Sequence, residues 1–153
     1  MGWKLEEIDG KTVIVEVPEV VGKQRARTVR VNGVTRSFTP RKTREFEDAI
    51  RNAWIDQDGT DWSDFDGPVA VLVSYRRELA KSNPKYWVGR ADVGKPDADN
   101  VLKSVLDALS GVAFADDAQV IESGCDALPR SPHGTGSAVA VTVGYYEETY
   151  EKE

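Results

Sequence analysis

Apolar and polar residues alternate through Thr12–Val17 (TVIVEV), and their β-branched side chains fit a half-buried strand that Pro18 ends. The runs Ala26–Val31 and Val34–Phe38 flank Asn32-Gly33, a dipeptide suited to the positive φ angles of a two-residue turn. They predict a β-hairpin. From Phe46 the period changes: Phe46, Ala49, Ile50, Ala53 and Trp54 recur at helical spacing. Thr39-Pro40 upstream offers an N-cap followed by proline at the first helical position, so a helix is predicted over 40–56. Asp56–Gly67 (DQDGTDWSDFDG) carries turn residues and no period, the pattern of a polar loop.

Pro68–Tyr75 (PVAVLVSY) is almost continuously apolar, which predicts a central strand covered on both faces. Residues 76–96 form a long basic connection containing Asn83-Pro84 and Tyr86-Trp87, and connections of that length often carry function. In Asp99–Leu109 the residues Val101, Leu102, Val105, Leu106 and Leu109 make one stripe, and Gly111 follows at the usual stop position. The stripe predicts a second helix facing the core. Val120-Ile121 and Ser137–Tyr146 predict two further strands around a Pro/Gly loop, and Glu147–Glu153 reads as a frayed, charged tail. The order of elements predicts a single α+β domain over residues 1–146, a mixed sheet with two main helices, and a charged C-terminal tail at 147–153.

Composition narrows the chemistry. The chain has 153 residues with one Cys (Cys125) and one His (His133), so an internal disulfide and zinc sites of several thiolates and imidazoles are excluded. No apolar run approaches the roughly 18–20 residues of a membrane span. The start MGWKLEEIDGK has no signal-peptide h-region, and a cytoplasmic protein is expected. Cys125 follows Gly124 at the end of a strand pattern and His133 lies in a Pro-His-Gly-Thr-Gly loop, so both read as structural. Gly134-Thr135-Gly136 is too short and badly placed for a nucleotide fingerprint, and no nucleotide cofactor is expected. Carboxylates are what remains for metal or acid–base chemistry.

The net charge of -6 argues at first against nucleic acid, but it hides strong alternation. Lys23, Arg25, Arg27, Arg30, Arg36, Arg41, Lys42 and Arg44 crowd residues 18–44, where Glu19 is the one acid. Residues 45–66 reverse the sign, 76–95 are basic again, and 96–126 set seven acids against Lys103. A polyanion responds to potential within a Debye length of about 8–10 Å, so basic segments beside a carboxylate cluster can hold phosphates on an acidic protein. Tyr86-Trp87 in the second basic stretch offers rings that can stack on an unpaired base.

Most chemical information lies in residues 95–120, KPDADNVLKSVLDALSGVAFADDAQV. Asp97 and Asp99 bracket one residue where the helix begins, and an extended i, i+2 pair points to one side. Asp116 and Asp117 follow the far end of the helix. Carboxylates brought together would hold a hard cation such as Mg²⁺ or Mn²⁺, since adjacent unpaired carboxylates raise one another's pKa. Lys103, one turn after Asp99, can steady them or stabilise charge on a phosphate. Each piece also has a plainer reading: Asp99 as an N-cap, Asp116-Asp117 as a turn, and Lys103 as a solvated helix residue.

The segment resembles the RusA family of Holliday-junction resolvases, particularly its phage-borne branch. The shared pattern is a KPD-x-DN opening, a helix containing LDAL, a Ser-Gly stop and then DDAQV. Gly22-Lys23-Gln24-Arg25-Ala26-Arg27 is similar to the family's GK-x-R-x-R stretch, and Phe38-Thr39-Pro40 with Lys42-Thr43 fits as well. The likeness runs from about residue 15 to 145, strongest at 95–120; the DQDGTDWSDFDG loop and the acidic total depart from the basic, compact members. It implies a homodimeric, Mg²⁺-dependent endonuclease, with Mn²⁺ as a substitute, that nicks four-way DNA junctions in opposing strands during recombination and repair. It implies Asp97, Asp99 and Asp117 as metal ligands, Lys103 as a catalytic lysine and Asp116 as a neighbouring group. Lys23, Arg25, Arg27, Arg30 and Arg36 would hold phosphates, and the gene would be bacterial or carried by a phage or prophage. The alternatives are a junction-binding module without cleavage and an acidic protein holding Ca²⁺ structurally, although the EF-hand spacing is missing.

Overall fold

A computed structural model describes the chain except for Arg25, Ala26, Asp58 and Glu153, with Arg27 described by its backbone alone. The elements are β1 (Gly2–Val17), β2 (Arg27–Val31), β3 (Val34–Phe38), α1 (Arg41–Asp56), β4 (Val69–Arg76), α2 (Ala98–Leu109), β5 (Val120–Ala127) and β6 (Ser137–Glu151). Single 3₁₀ turns occupy Lys85–Trp87 and Asp117–Gln119. The order matches the sequence expectation of an α+β domain.

The main sheet is mixed, with strand order β1-β6-β4-β5. β4 and β5 are parallel, while β6 is antiparallel to both β1 and β4. Parallel neighbours need a crossover, and α2 supplies it. Alternate residues of the strands (Val13, Val15, Val17; Val69, Val71, Val73, Tyr75; Val139, Val141, Val143, Tyr145) form one core with Phe46, Ile50 and Trp54 of α1 and Val101, Val105, Ala108 and Leu109 of α2. Both helices therefore cover one face. Among the described residues no helix lies on the opposite face, and Ile14 and Leu72 stand open on it. β4 is central yet covered on one side only, which corrects the expectation of burial on both: its apolar run breaks at Leu72, 51% exposed.

Three further corrections concern ends of elements. The segment 147–151, expected to fray with the rest of the tail, is not frayed, because β6 continues to Glu151 and pairs as far as Gly2 through a shift at Glu7/Asp9. Trp3 packs on Tyr150 across that ribbon, ring centroids 5.3 Å apart, so charge alone misleads about fraying. Asp97, not Asp99, is the N-cap of α2, and Pro40, not Thr39, holds that place in α1, with no side-chain cap. The hairpin β2–β3 forms as expected, Asn32 and Gly33 taking φ of 51° and 78° at its turn, and makes a sheet of its own.

The polar loop before β4 is pinned from within. The Trp62 ring stacks on Tyr145 at 4.2 Å, Phe65 meets the same ring edge-on at 5.2 Å, and Tyr145 Oη donates to Ala113 O at 2.7 Å. The basic 76–96 connection is tied by Arg77, which donates from Nε to Asp92 Oδ2 at 2.6 Å, also binds Asp92 Oδ1, and reaches Lys95 O at 2.6 Å. Burial pushes the Asp92 carboxyl up, but its bonds to the Arg77 guanidinium outweigh this and hold it below the usual carboxylate range. The stability this pair contributes is fully present above pH about 4 and drains away as acid protonates Asp92. Tyr145→Phe, which orphans the Ala113 carbonyl, is expected to lower the unfolding free energy by about 1–3 kcal/mol in urea titrations with an unchanged slope.

Candidate active site and nucleic-acid interface

The start of α2 is built by local capping. Asp97 sits in extended conformation and accepts from the Asn100 backbone N–H at 3.2 Å, which leaves its second oxygen 3.6 Å from Lys95 Nζ. Asp99 lies in the first turn and Lys103 one turn later; all three side chains are exposed. The Asp97 charge is felt at the Tyr75 hydroxyl at the end of β4, whose pKa is raised first by burial. The Asp99 charge is felt at Cys125 near the end of β5, whose thiol burial pushes up to about 12, with Asp126 and Asp99 adding to it. Cys125 is thus a protonated packing residue, as its sequence context suggests.

Residues 21–23 cross directly over this helix start. Lys23 N donates to Asn100 O at 2.9 Å, and a Cβ on Gly22 would lie 2.7 Å from Pro96 Cβ and 2.9 Å from Asn100 Cβ. Glycine is needed there for close approach. Lys23 Nζ meets Asp107 Oδ2 at 2.6 Å and Glu47 Oε1 at 3.1 Å, joining α2 to α1. Its pKa is raised, chiefly by the bond to Asp107. Lys23 is therefore engaged with two carboxylates, not displayed as a free phosphate ligand.

Asp117 stands elsewhere. It opens the 3₁₀ turn before β5, after Asp116, whose carbonyl accepts from the Gln119 N–H at 3.1 Å while its own N–H donates to Gln119 Oε1 at 2.6 Å. Gln119 Nε2 donates to Phe65 O at 2.7 Å and to Gly67 O at 2.8 Å, fastening this turn to the loop before β4. Sequence reading gave Gln119 no role, although Asp-x-x-Gln has capping-box spacing. Val69 pairs with Val120 at this end of the sheet, and Tyr75 with Ala127 at the other. Since α2 runs back against β4 and β5, its length of about 18 Å separates Asp97 and Asp99 from Asp117. Among the described residues, no three His, Cys, Asp or Glu side chains come together to hold a metal. A single chain thus does not assemble the expected ligand set.

The basic residues divide between two surfaces. Arg30 and Arg36 are exposed on opposite faces of the β2–β3 ribbon, since Arg30 pairs with Thr35 and Arg36 with Val29. Arg25 and the Arg27 side chain lie outside the described residues. On the 76–96 connection Tyr86 is 83% exposed, whereas Trp87 is half-buried with the Arg90 guanidinium 4.9 Å from its ring centre. No helix among the described residues is long and apolar enough to cross a membrane.

Residues 18–143 match the family described as endodeoxyribonuclease RusA, and the chain belongs to that family of Holliday-junction resolvases. It is also similar to the uncharacterized protein YqaN of Bacillus subtilis (strain 168), 31% identical over 112 residues, which span 68% of this chain and 78% of that protein. Gly22→Ala is expected to lift residues 21–23 from α2 and to cost about 1–3 kcal/mol, the usual range for overpacking, measured by urea denaturation.

Proposed function

We propose that this protein is a divalent-cation-dependent endodeoxyribonuclease that resolves four-way DNA junctions by paired nicks during recombination and repair, working as a homodimer in the bacterial cytoplasm. The observation that carries the reading is the exposed Asp97/Asp99/Lys103 group at the start of α2 in a chain of the RusA family. Mg²⁺, or Mn²⁺ in its place, is the cofactor that carboxylate chemistry selects, and when bound it activates water and neutralises phosphoryl charge.

The residues of the chain supply position and charge. The Asn100 N–H and the Lys95 ammonium orient the Asp97 carboxylate. Lys103 presents an exposed ammonium one turn from Asp99, suited to stabilise charge that develops on a phosphate. Arg30 and Arg36, together with Arg25 and Arg27 of the same stretch, contact backbone phosphates, which position DNA without reading sequence. Tyr86, open to solvent, is better placed than Trp87 to stack on an unpaired base.

Asp117 joins Asp97 and Asp99 only if a second copy brings its own, since within one chain the helix holds them apart. A two-fold dimer then carries two such sites to a two-fold junction. With a labelled four-way junction and Mg²⁺, the unmodified protein is expected to nick opposing strands. Asp99→Asn is expected to bind the junction as tightly and cleave it at least about 100-fold more slowly, the scale for loss of one essential group. Salt-sensitive binding without cleavage by the unmodified protein would reduce it to a junction-binding module; equal cleavage by both would remove Asp99 from the site.

A further inference from the structure

We propose that the far ends of β1 and β6 form a docking arm for another protein, which adds a basic, extended segment to the open edge of β1. The arm lies outside residues 18–143, the span that matches the RusA family.

Pairing of β4 with β6 stops at Tyr145, and Pro68 O accepts from Tyr146 N at 3.0 Å just beyond it. From there β1 and β6 run on as two strands, from Glu7 opposite Tyr146 to Gly2 opposite Glu151. A two-stranded ribbon is marginal in water unless something covers a face of it. This one displays large apolar side chains. Residues directly opposite share a face, so Trp3, Leu5 and Tyr150 stand on one side of the ribbon. They are 74%, 47% and 45% exposed, Trp3 in spite of its contact with Tyr150. On the other face Glu6 lies directly opposite Glu147, a like-charge pair that costs stability in the free protein. Neither carboxylate makes an ion pair among the described residues.

The edge of β1 runs past both features, with β6 on one side and no strand on the other. At Thr12 it is closed, because Gln57 Nε2 donates to Thr12 O at 2.8 Å and α1 packs alongside. Over residues 2–10 no backbone hydrogen bond goes to a backbone other than that of β6 among the described residues. That stretch is a template for a further strand.

Charge selects the occupant. Residues 2–10 and 144–151 carry Glu6, Glu7, Asp9, Glu147, Glu148 and Glu151 against Lys4, itself 3.8 Å from Glu151. Such a surface repels DNA. It also repels a second copy, since pairing two β1 edges sets Glu6, Glu7 and Asp9 of one against those of the other. Acids and a bulge such as that at Glu7/Asp9 keep an edge from pairing with itself, but they do not turn away a segment of opposite charge. A strand that alternates apolar and basic residues fits. Its main chain bonds to β1, its apolar side chains lie beside Trp3 and Leu5, and its Lys or Arg side chains lie beside Glu6.

Three labelled peptides of about eight residues, enough to cover the open edge, serve as probes. One alternates valine with lysine, one alternates valine with glutamate, and one holds the same valines and lysines in two blocks. The alternating basic peptide is expected to bind the full chain at least about tenfold tighter than either of the others by fluorescence anisotropy, and to slow hydrogen exchange of the amides in residues 2–10. The double variant Trp3→Ser, Leu5→Ser and the single variant Glu6→Lys are each expected to weaken it about tenfold, with unchanged circular dichroism spectra. Equal binding of all three peptides overturns the proposal, as does tight binding without added protection at 2–10, a result that needs no substitution. Protection of those amides by a four-way junction, or by raised protein concentration alone, also overturns it and gives the edge to DNA or to a second copy.

Discussion

The antiparallel packing of α2 against the parallel pair β4–β5 governs the rest of the molecule. Burial of Val101, Val105, Ala108 and Leu109 fixes the helix along the strands, and the crossover it makes requires its start to lie over their C-terminal ends. The same packing carries Asp97 and Asp99 to one end of the sheet and leaves Asp117 at the other. The fold thus divides the acidic motif between the two ends of the sheet. The polar devices around it serve that placement: Asp97 caps the helix, Gln119 ties the 117–119 turn to Phe65 and Gly67, and Lys23 clamps α2 to α1.

Surface charge takes its meaning from these contacts. The chain is acidic overall, yet several of its basic groups are already neutralised by neighbours: Lys23 by Asp107 and Glu47, Arg77 by Asp92. Arg30 and Arg36 on the separate β2–β3 ribbon are exposed. A ribbon of two strands has little stability of its own, so a binding partner has much to order there. Charge runs along the chain mark the basic stretches; packing separates the clamps from the groups left exposed.

Most of the fold was legible in the sequence. The stripe in 101–109, the Asn32-Gly33 turn and the alternation of β1 and β6 each belong to one secondary-structure period, and local sterics decide them. What escaped depended on distant partners. Leu72 looked buried because one sequence cannot tell which sheet face receives helices, and 147–151 looked frayed because its strand partner lies near the other terminus. At the site, the family resemblance implied Asp97, Asp99, Lys103 and Asp117, but spacing in sequence gave no warning that the length of α2 stands between Asp117 and the two aspartates at the helix start. Gly22 and Gln119 went unassigned for the same reason, since each acts on residues far along the chain.

The central claim is that a working site draws Asp97 and Asp99 from one copy and Asp117 from the other. Differently tagged Asp99→Asn and Asp117→Asn chains, co-expressed and isolated as the mixed dimer, test it most directly. One of its two sites would then combine both substitutions and the other would be intact. The account predicts that each variant alone is inactive on a labelled four-way junction with Mg²⁺, while the mixed dimer regains nicking at about half the unmodified rate, one site of two. A mixed dimer that binds the junction as the unmodified protein does, and is as inactive as either parent, would contradict it.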